Sequence, residues 1–191
     1  MLYTPTWRPY QYGLPIKQLE GFDQNRLEKF LIENSIIILY SLHSKQDDEL
    51  FDGISNVVFL NRDENPFQDL NEIMIETDLL ISDYCSTSTD FLILDRPQVF
   101  VMPDLDKFSK ENGFIDDYVA MLPGDHARDF DELLDQITKN LFNEIEHKNR
   151  YYHKRKVFLD KYYDSDKGDS SAKFAAFIDS ELKGKQNNIE I

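Results

Sequence analysis

Five short strand-like runs recur along the chain with helix-length segments between them: LYTPT (2–6), IIILY (36–40), VVFL (57–60), DLLIS (78–82) and QVFVM (98–102). The intervals read as helices over 23–34, 68–76, 88–95 and 104–112, with a shorter one over 47–53. IIILY is apolar at consecutive positions, the pattern of a strand covered on both faces. Joining parallel strands takes a crossover of helix length, which these intervals supply. The alternation therefore predicts an α/β fold, a Rossmann-like doubly wound parallel sheet. A loop over 113–128 leads to helices over 129–146, 148–161 and 169–183. We read residues 1–165 as one nucleotide-binding-type α/β domain and 166–191 as a C-terminal helix and tail of the same domain.

Ligands of such sheets bind outside the carboxyl ends of the strands. The loops 7–16, 41–46, 61–67, 83–87 and 103–104 are therefore where chemistry is expected. Composition narrows the choice of ligand. With 36 Asp and Glu against 21 Lys and Arg, the net charge is −15. A surface of that sign repels nucleic acid and anionic lipid. To bind an anion, such a chain must use local devices, namely helix N-termini and a few placed cations. The single cysteine, Cys85, rules out an internal disulfide and fits a reducing, cytoplasmic setting. No zinc-ligand spacing is present, and none of GxGxxG, GxxxxGK[ST] or GxSxG occurs. No apolar run approaches the roughly 20 residues of a membrane span, and the N-terminus lacks a signal-peptide pattern.

The most informative stretch is ISDYCSTSTDFLILDRP (81–97). A strand ends at Ser82, Asp83 and Tyr84 make a turn, and Cys85, Ser86, Thr87, Ser88 and Thr89 lead into a helix. Thr87 and Asp90 have capping-box-like spacing. Small hydroxyl residues at a helix start just past a parallel strand can bind an anion, because free N–H groups and the helix dipole face outward there. An ordinary N-cap would use the same residues. His43 follows IIILY by three positions and can neutralise a phosphate or move a proton, or can be a plain surface histidine. Arg8 follows the first strand and can clamp a phosphate or form a salt bridge. Arg96 reads as structural, a cation at a helix end. His126 falls in the 113–128 loop, and His147 and His153 read as outer-face helix residues. LPGDH (122–126) can line a nucleotide pocket or simply turn the chain, and KGDSSAKF (167–174) opens the last helix as a second candidate anion site.

Taken in order, YTPTWR (3–8), SLH (41–43), SDYCSTSTDFLILDRPQVF (82–100), DLDKFSKENGFIDDY (104–118), LPG (122–124) and KGDSSAK (167–173) resemble the C-terminal domain of the CDP-glycerol glycerophosphotransferases, the polymerases and primases of teichoic acids and some capsules. The resemblance implies the C-terminal half of a two-domain GT-B fold that binds CDP-glycerol or another CDP-alditol. It implies that Ser86, Thr87 and Ser88 hold the diphosphate and that His43 contacts it or the transferred phosphate. Arg8 and Asp83 would help build the site, and Ser170 and Ser171 would add contacts. The reaction implied is attack by a hydroxyl of a polymer acceptor on the β-phosphorus, with CMP leaving and no metal or cofactor assigned.

The sequence departs from the family pattern at Ser44, where Pro is usual, at Cys85, where Ser is common, and at Lys173, where Arg is common. The family's N-terminal acceptor domain, with its own catalytic histidine, has no counterpart in this chain. A fragment, an excised domain or a partner-dependent subunit, inactive by itself, is the expectation. Membrane contact, at the inner face of the cell membrane, would come from other parts of the full protein. The competing readings are a UDP- or CMP-sugar GT-B glycosyltransferase or epimerase domain, and a nucleotide-binding remnant without chemistry. A response-regulator-like domain would need acids at the end of the first strand, where TWR stands instead.

Overall fold

A computed structural model describes residues 1–8, 14–41, 51, 53–60, 69–114, 117–163 and 168–186. His43, the 47–50 part of the expected short helix, and the 61–67 loop lie outside the described residues. The chain divides into two compact units, residues 1–156 and 157–191.

The first unit is built on a six-stranded parallel sheet: β1 (Leu2–Thr4), β2 (Ile38–Tyr40), β3 (Val57–Phe59), β4 (Leu80–Ser82), β5 (Gln98–Val101) and β6 (Asp125–Ala127). Their order is β3-β2-β1-β4-β5-β6, and every pairing is parallel. The α/β, doubly wound expectation holds. Five strands fall within the runs read from the sequence, each shorter than its run. The sixth falls in what reads as loop, because Asp-His-Ala carries no apolar stretch. It pairs with β5 alone, an edge position that asks for little hydrophobicity.

Alternation along the strands feeds two cores. Tyr3, Ile38, Tyr40, Ile81, Val99 and Val101 join the larger cluster, with helices α1 (Gln24–Glu33) and α6 (Phe130–Phe142). Leu2 and Leu80 pack on the opposite face with Leu60, Met74 and Phe91. Helix α1 begins where Asp23 accepts the amides of Asn25 and Arg26 at 2.8 and 3.0 Å. Its Leu27 and Leu31 are fully buried, each contributing about 2 kcal/mol of transfer free energy. Phe30 packs partly buried on the same cluster, as the spacing predicts.

The other helices of this unit are α2 (Leu70–Ile75), α3 (Thr87–Phe91), α4 (Leu105–Asn112), α5 (Tyr118–Met121) and the start of α7 (Glu144–Tyr162). α3 runs on as a 3-10 turn over Leu92–Leu94. Gly124 lies so close to β5 that a Cβ there would meet the Gln98 carbonyl oxygen at 2.5 Å and the Phe100 ring at 2.6 Å. The LPG turn thus lets β6 reach the sheet. In the second unit, α8 (Ser170–Gln186) begins beside an Asp169–Lys173 ion pair at 3.3 Å. Among the described residues no helix is long and apolar enough to cross a membrane.

Candidate functional site

With β2 on one side of β1 and β4 on the other, the strand order reverses between β1 and β4. In a sheet of this kind that reversal opens a crevice beyond the carboxyl ends. The segments leaving β1, β4 and β5 meet there around one guanidinium. Arg8 donates from Nη1 to Asp83 Oδ2 at 2.7 Å and to the Thr6 carbonyl at 2.6 Å. Its Nε and Nη2 grip the two oxygens of Asp104 at 2.5 and 2.9 Å. The rings of Tyr84 and Phe108 lie 5.1 and 5.8 Å from its Cζ and stack on each other at 4.0 Å. Arg8 is only 3% exposed. Burial alone would lower its pKa, but the bonds to Asp104 and the charge of Asp83 outweigh that, and the net direction is upward.

Asp83 is equally committed. Besides Arg8 it accepts the Thr6 amide at 2.9 and 3.1 Å, the Thr6 hydroxyl at 2.7 Å and the Cys85 amide at 3.2 Å. With its acceptor positions filled by four donor groups, it serves as a knot between β1 and the β4 turn. Of the two readings open for Arg8, a phosphate clamp or a salt bridge, the geometry is that of a buried salt bridge with two carboxylates.

The knot sets the course of the turn into α3. Ser86 occupies the N-cap with αR backbone and makes no capping bond, and Thr87 is already helical. The Thr87–Asp90 capping box therefore does not form. The three hydroxyl residues are placed differently. Ser86 is exposed, whereas Thr87 and Ser88 are 8% and 1% exposed. The Thr87 hydroxyl lies 3.1 Å from the Cys85 sulphur. The Ser88 hydroxyl donates to the Cys85 carbonyl at 2.8 Å and so accepts from the Tyr118 hydroxyl at 3.0 Å. Gln98 donates to the Ser88 carbonyl at 3.0 Å. Burial pushes the Cys85 thiol up, away from thiolate character. The turn is thus held from beneath by Tyr118 and Gln98, and it shows the solvent its Ser86 face.

The remaining predicted residues divide. Ser170 and Ser171 are the first two residues of α8, in the second unit. Arg96 is structural, as read, though the carbonyls it takes, those of Ile75 and Thr77, end α2 rather than its own helix. His126 lies in β6 rather than a loop, and burial lowers its pKa. His147 is buried, not on an outer face, because the first turns of α7 fold back onto β6 and α6. Its Nδ1 lies 2.8 Å from Asn140 Oδ1, and Asn140 donates to Asp125 at 2.9 Å. His153 is exposed, as read.

Sequence reasoning missed Asp104, Tyr118 and Gln98. Asp104 was within reach, since it sits in the 103–104 loop past a strand end. Tyr118 and Gln98 carry no local signal. A cavity of about 580 Å³ opens at the other edge of the sheet, lined by Met1, Ile36, Asp78 and Pro97, which precede strands. It shares no residue with the Arg8 cluster. We assign the site to the carboxyl edge, where the fold gathers polar groups.

Over residues 1–180 the chain matches the family described as CDP-Glycerol:Poly(glycerophosphate) glycerophosphotransferase. It is 29% identical over 189 residues to a teichoic acid glycerol-phosphate transferase of Staphylococcus aureus, covering 93% of this chain and 44% of that protein. It is 29% identical over 190 residues to a teichoic acid glycerol-phosphate primase of Bacillus subtilis, covering 94% of this chain and 43% of that protein. The structure of the wall teichoic acid polymerase TagF superposes with a TM-score of 0.70 at 29% identity, over 96% of this chain and 44% of that one. The chain thus spans less than half the length of these relatives.

Proposed function

The chain belongs to the CDP-glycerol:poly(glycerophosphate) glycerophosphotransferase family, and from that premise we propose that it is the donor-nucleotide domain of a phosphotransferase. Its ligand would be CDP-glycerol or a related CDP-alditol. The product would be a teichoic-acid or capsule polymer lengthened by one alditol phosphate, with CMP released. The acceptor domain would come from the remainder of a longer protein or from a partner chain. A TagF variant soaked with CDPG superposes at a TM-score of 0.69 and 29% identity, which supports a donor of this class.

The observation that carries the reading is the Asp83 knot at the switch point, which supports a turn whose exposed member is Ser86. In this reading the Ser86 hydroxyl and the turn around it receive the diphosphate. Thr87 and Ser88 give the turn its shape, and Arg8 and Asp83 brace it. His43 would bring its imidazole to the phosphates, and Ser170 and Ser171 are further donor-binding candidates, all three as the family resemblance implies. The acceptor oxygen forms a bond to the β-phosphorus as the bond to the bridging oxygen breaks. The hydroxyl proton passes to a base, and CMP leaves with the electron pair. Chemistry of this kind asks a protein mainly for positioning and charge neutralisation.

Calorimetric titration of the chain with CDP-glycerol, CMP and a UDP-sugar tests the proposal. CDP-glycerol should bind most tightly, and His43→Asn and Ser86→Ala should each weaken it. A preference for the UDP-sugar would assign the domain to sugar-nucleotide chemistry instead.

A further inference from the structure

Resting on the donor-binding reading above, we propose that Asp104 is a positioning residue for the donor turn, acting through Arg8 and Asp83. Asp104 stands just past β5, at the start of α4. It takes Arg8 by two parallel bonds, from Nε and Nη2, the fork geometry that fixes the plane of a guanidinium. Tyr84 adds a third donor through its hydroxyl at 3.3 Å. With that plane fixed, Nη1 points to Asp83 Oδ2 and to the Thr6 carbonyl. Asp83 in turn holds the Cys85 amide, one residue before Ser86.

The order of dependence follows from burial. The side chains of Arg8, Asp83 and Asp104 are 2%, 1% and 8% exposed. Without the Asp104 carboxylate, two donor groups of a buried cation lose their acceptors, and water has little access to replace them. The guanidinium then has to turn toward another acceptor, and Asp83 is the nearest carboxylate. Any such turn competes with the Thr6 and Cys85 bonds that shape the loop. A residue at the start of α4 thus governs the β4 turn with no contact of its own to Ser86 among the bonds described.

The test uses the 191-residue chain and its Asp104→Asn and Asp104→Glu variants. Amide hydrogen exchange over residues 84–89 is read beside calorimetric titration with CDP-glycerol. In Asp104→Asn, exchange in this segment should rise about tenfold and the Kd for CDP-glycerol should rise by a similar factor, while amides of α1 stay unchanged. Asp104→Glu should recover part of both effects, which a merely space-filling role would not give. Should Asp104→Asn fail to fold, Tyr84→Phe removes one donor to Asp104, and a smaller rise over the same segment is expected. Unchanged exchange over 84–89 in a folded variant overturns the proposal. If exchange rises but the parent chain itself does not bind CDP-glycerol, the coupling stands and the donor reading falls.

Discussion

Thr6 gives both its amide and its hydroxyl to one carboxylate, that of Asp83, at 2.9 and 2.7 Å. This pair ties the segment after β1 to the turn after β4. It predicts that Asp83 matters first to stability. Asp83→Ala leaves buried Arg8 with Asp104 as its one carboxylate and strips acceptors from Thr6 and Cys85. Removing one partner of a buried ion pair costs about 3–5 kcal/mol. Urea unfolding should show a loss of that order, with CDP-glycerol binding lost as well. Thr6→Val, which removes one hydroxyl bond, should cost only about 1 kcal/mol. Equal, small losses for both would mean that Asp83 is not the knot.

Gly124 makes a second, independent prediction. A methyl group there would sit 2.5 Å from the backbone oxygen of Gln98, which cannot move without disturbing β5. Gly124→Ala should therefore destabilise the chain by about 1–3 kcal/mol, the usual range for overpacking. Thermal unfolding of the variant checks it. An unchanged melting temperature would show that the LPG turn relaxes freely.

Particular residues show how much of this architecture was legible in the sequence. DLLIS and QVFVM announce buried strands through their apolar runs, and Asp23 announces the start of α1 through its capping preference, whereas IIILY gives a strand covered less fully than its run suggests, with Ile37 exposed and Leu39 half-buried. β6 was not legible, since an edge strand of Asp-His-Ala gains its place from pairing with β5 rather than from burying apolar side chains. The candidate turn at 83–88 was legible as polar chemistry past a strand. Which hydroxyl faces outward was not, because that depends on Tyr118, thirty positions from Ser88, reaching its Oγ. The fate of Arg8 was hidden for the same reason, since its second carboxylate lies 96 positions away.

His147 sets a pH dependence. Its ring is buried, and burial holds its pKa down at about 4, below the ordinary 6.5, with the charge of Asp125 pulling the other way. Asn140 donates to Asp125 through its amide nitrogen, so its oxygen accepts from a protonated Nδ1 of the neutral ring. Above pH 6.5 the ring is neutral in both folded and unfolded chains and adds no slope. As the pH falls from 6.5 toward 4, the unfolded chain takes up a proton that the folded one refuses, so stability drops. The full loss is of order 3 kcal/mol at most, from about 1.4 kcal/mol per pH unit. Denaturant midpoints measured between pH 7 and 4 should fall, and the fall should be smaller in His147→Gln. An identical pH profile in that variant would show that other groups set it.

The contrast between Ser86 and Ser88 separates contact from support in the proposed donor site. Ser86 is exposed and its hydroxyl makes no capping bond. Ser86→Ala should leave stability within about 0.5 kcal/mol, as surface changes commonly do, and should weaken CDP-glycerol binding directly. Ser88 is 1% exposed, and its hydroxyl lies between the Cys85 carbonyl and the Tyr118 hydroxyl. Ser88→Ala removes a buried hydroxyl together with its bonds to the Cys85 carbonyl and the half-buried Tyr118 hydroxyl, and should cost about 1–3 kcal/mol. Adding Tyr118→Phe should cost only about 1 kcal/mol more, because its bond to Ser88 is already gone. Chemical unfolding and calorimetry on the two single variants and the Ser88→Ala, Tyr118→Phe double variant read both quantities. If Ser86→Ala destabilised the fold as much as Ser88→Ala, the exposed side of the turn would be structural, and a diphosphate would have to be received elsewhere on the carboxyl edge.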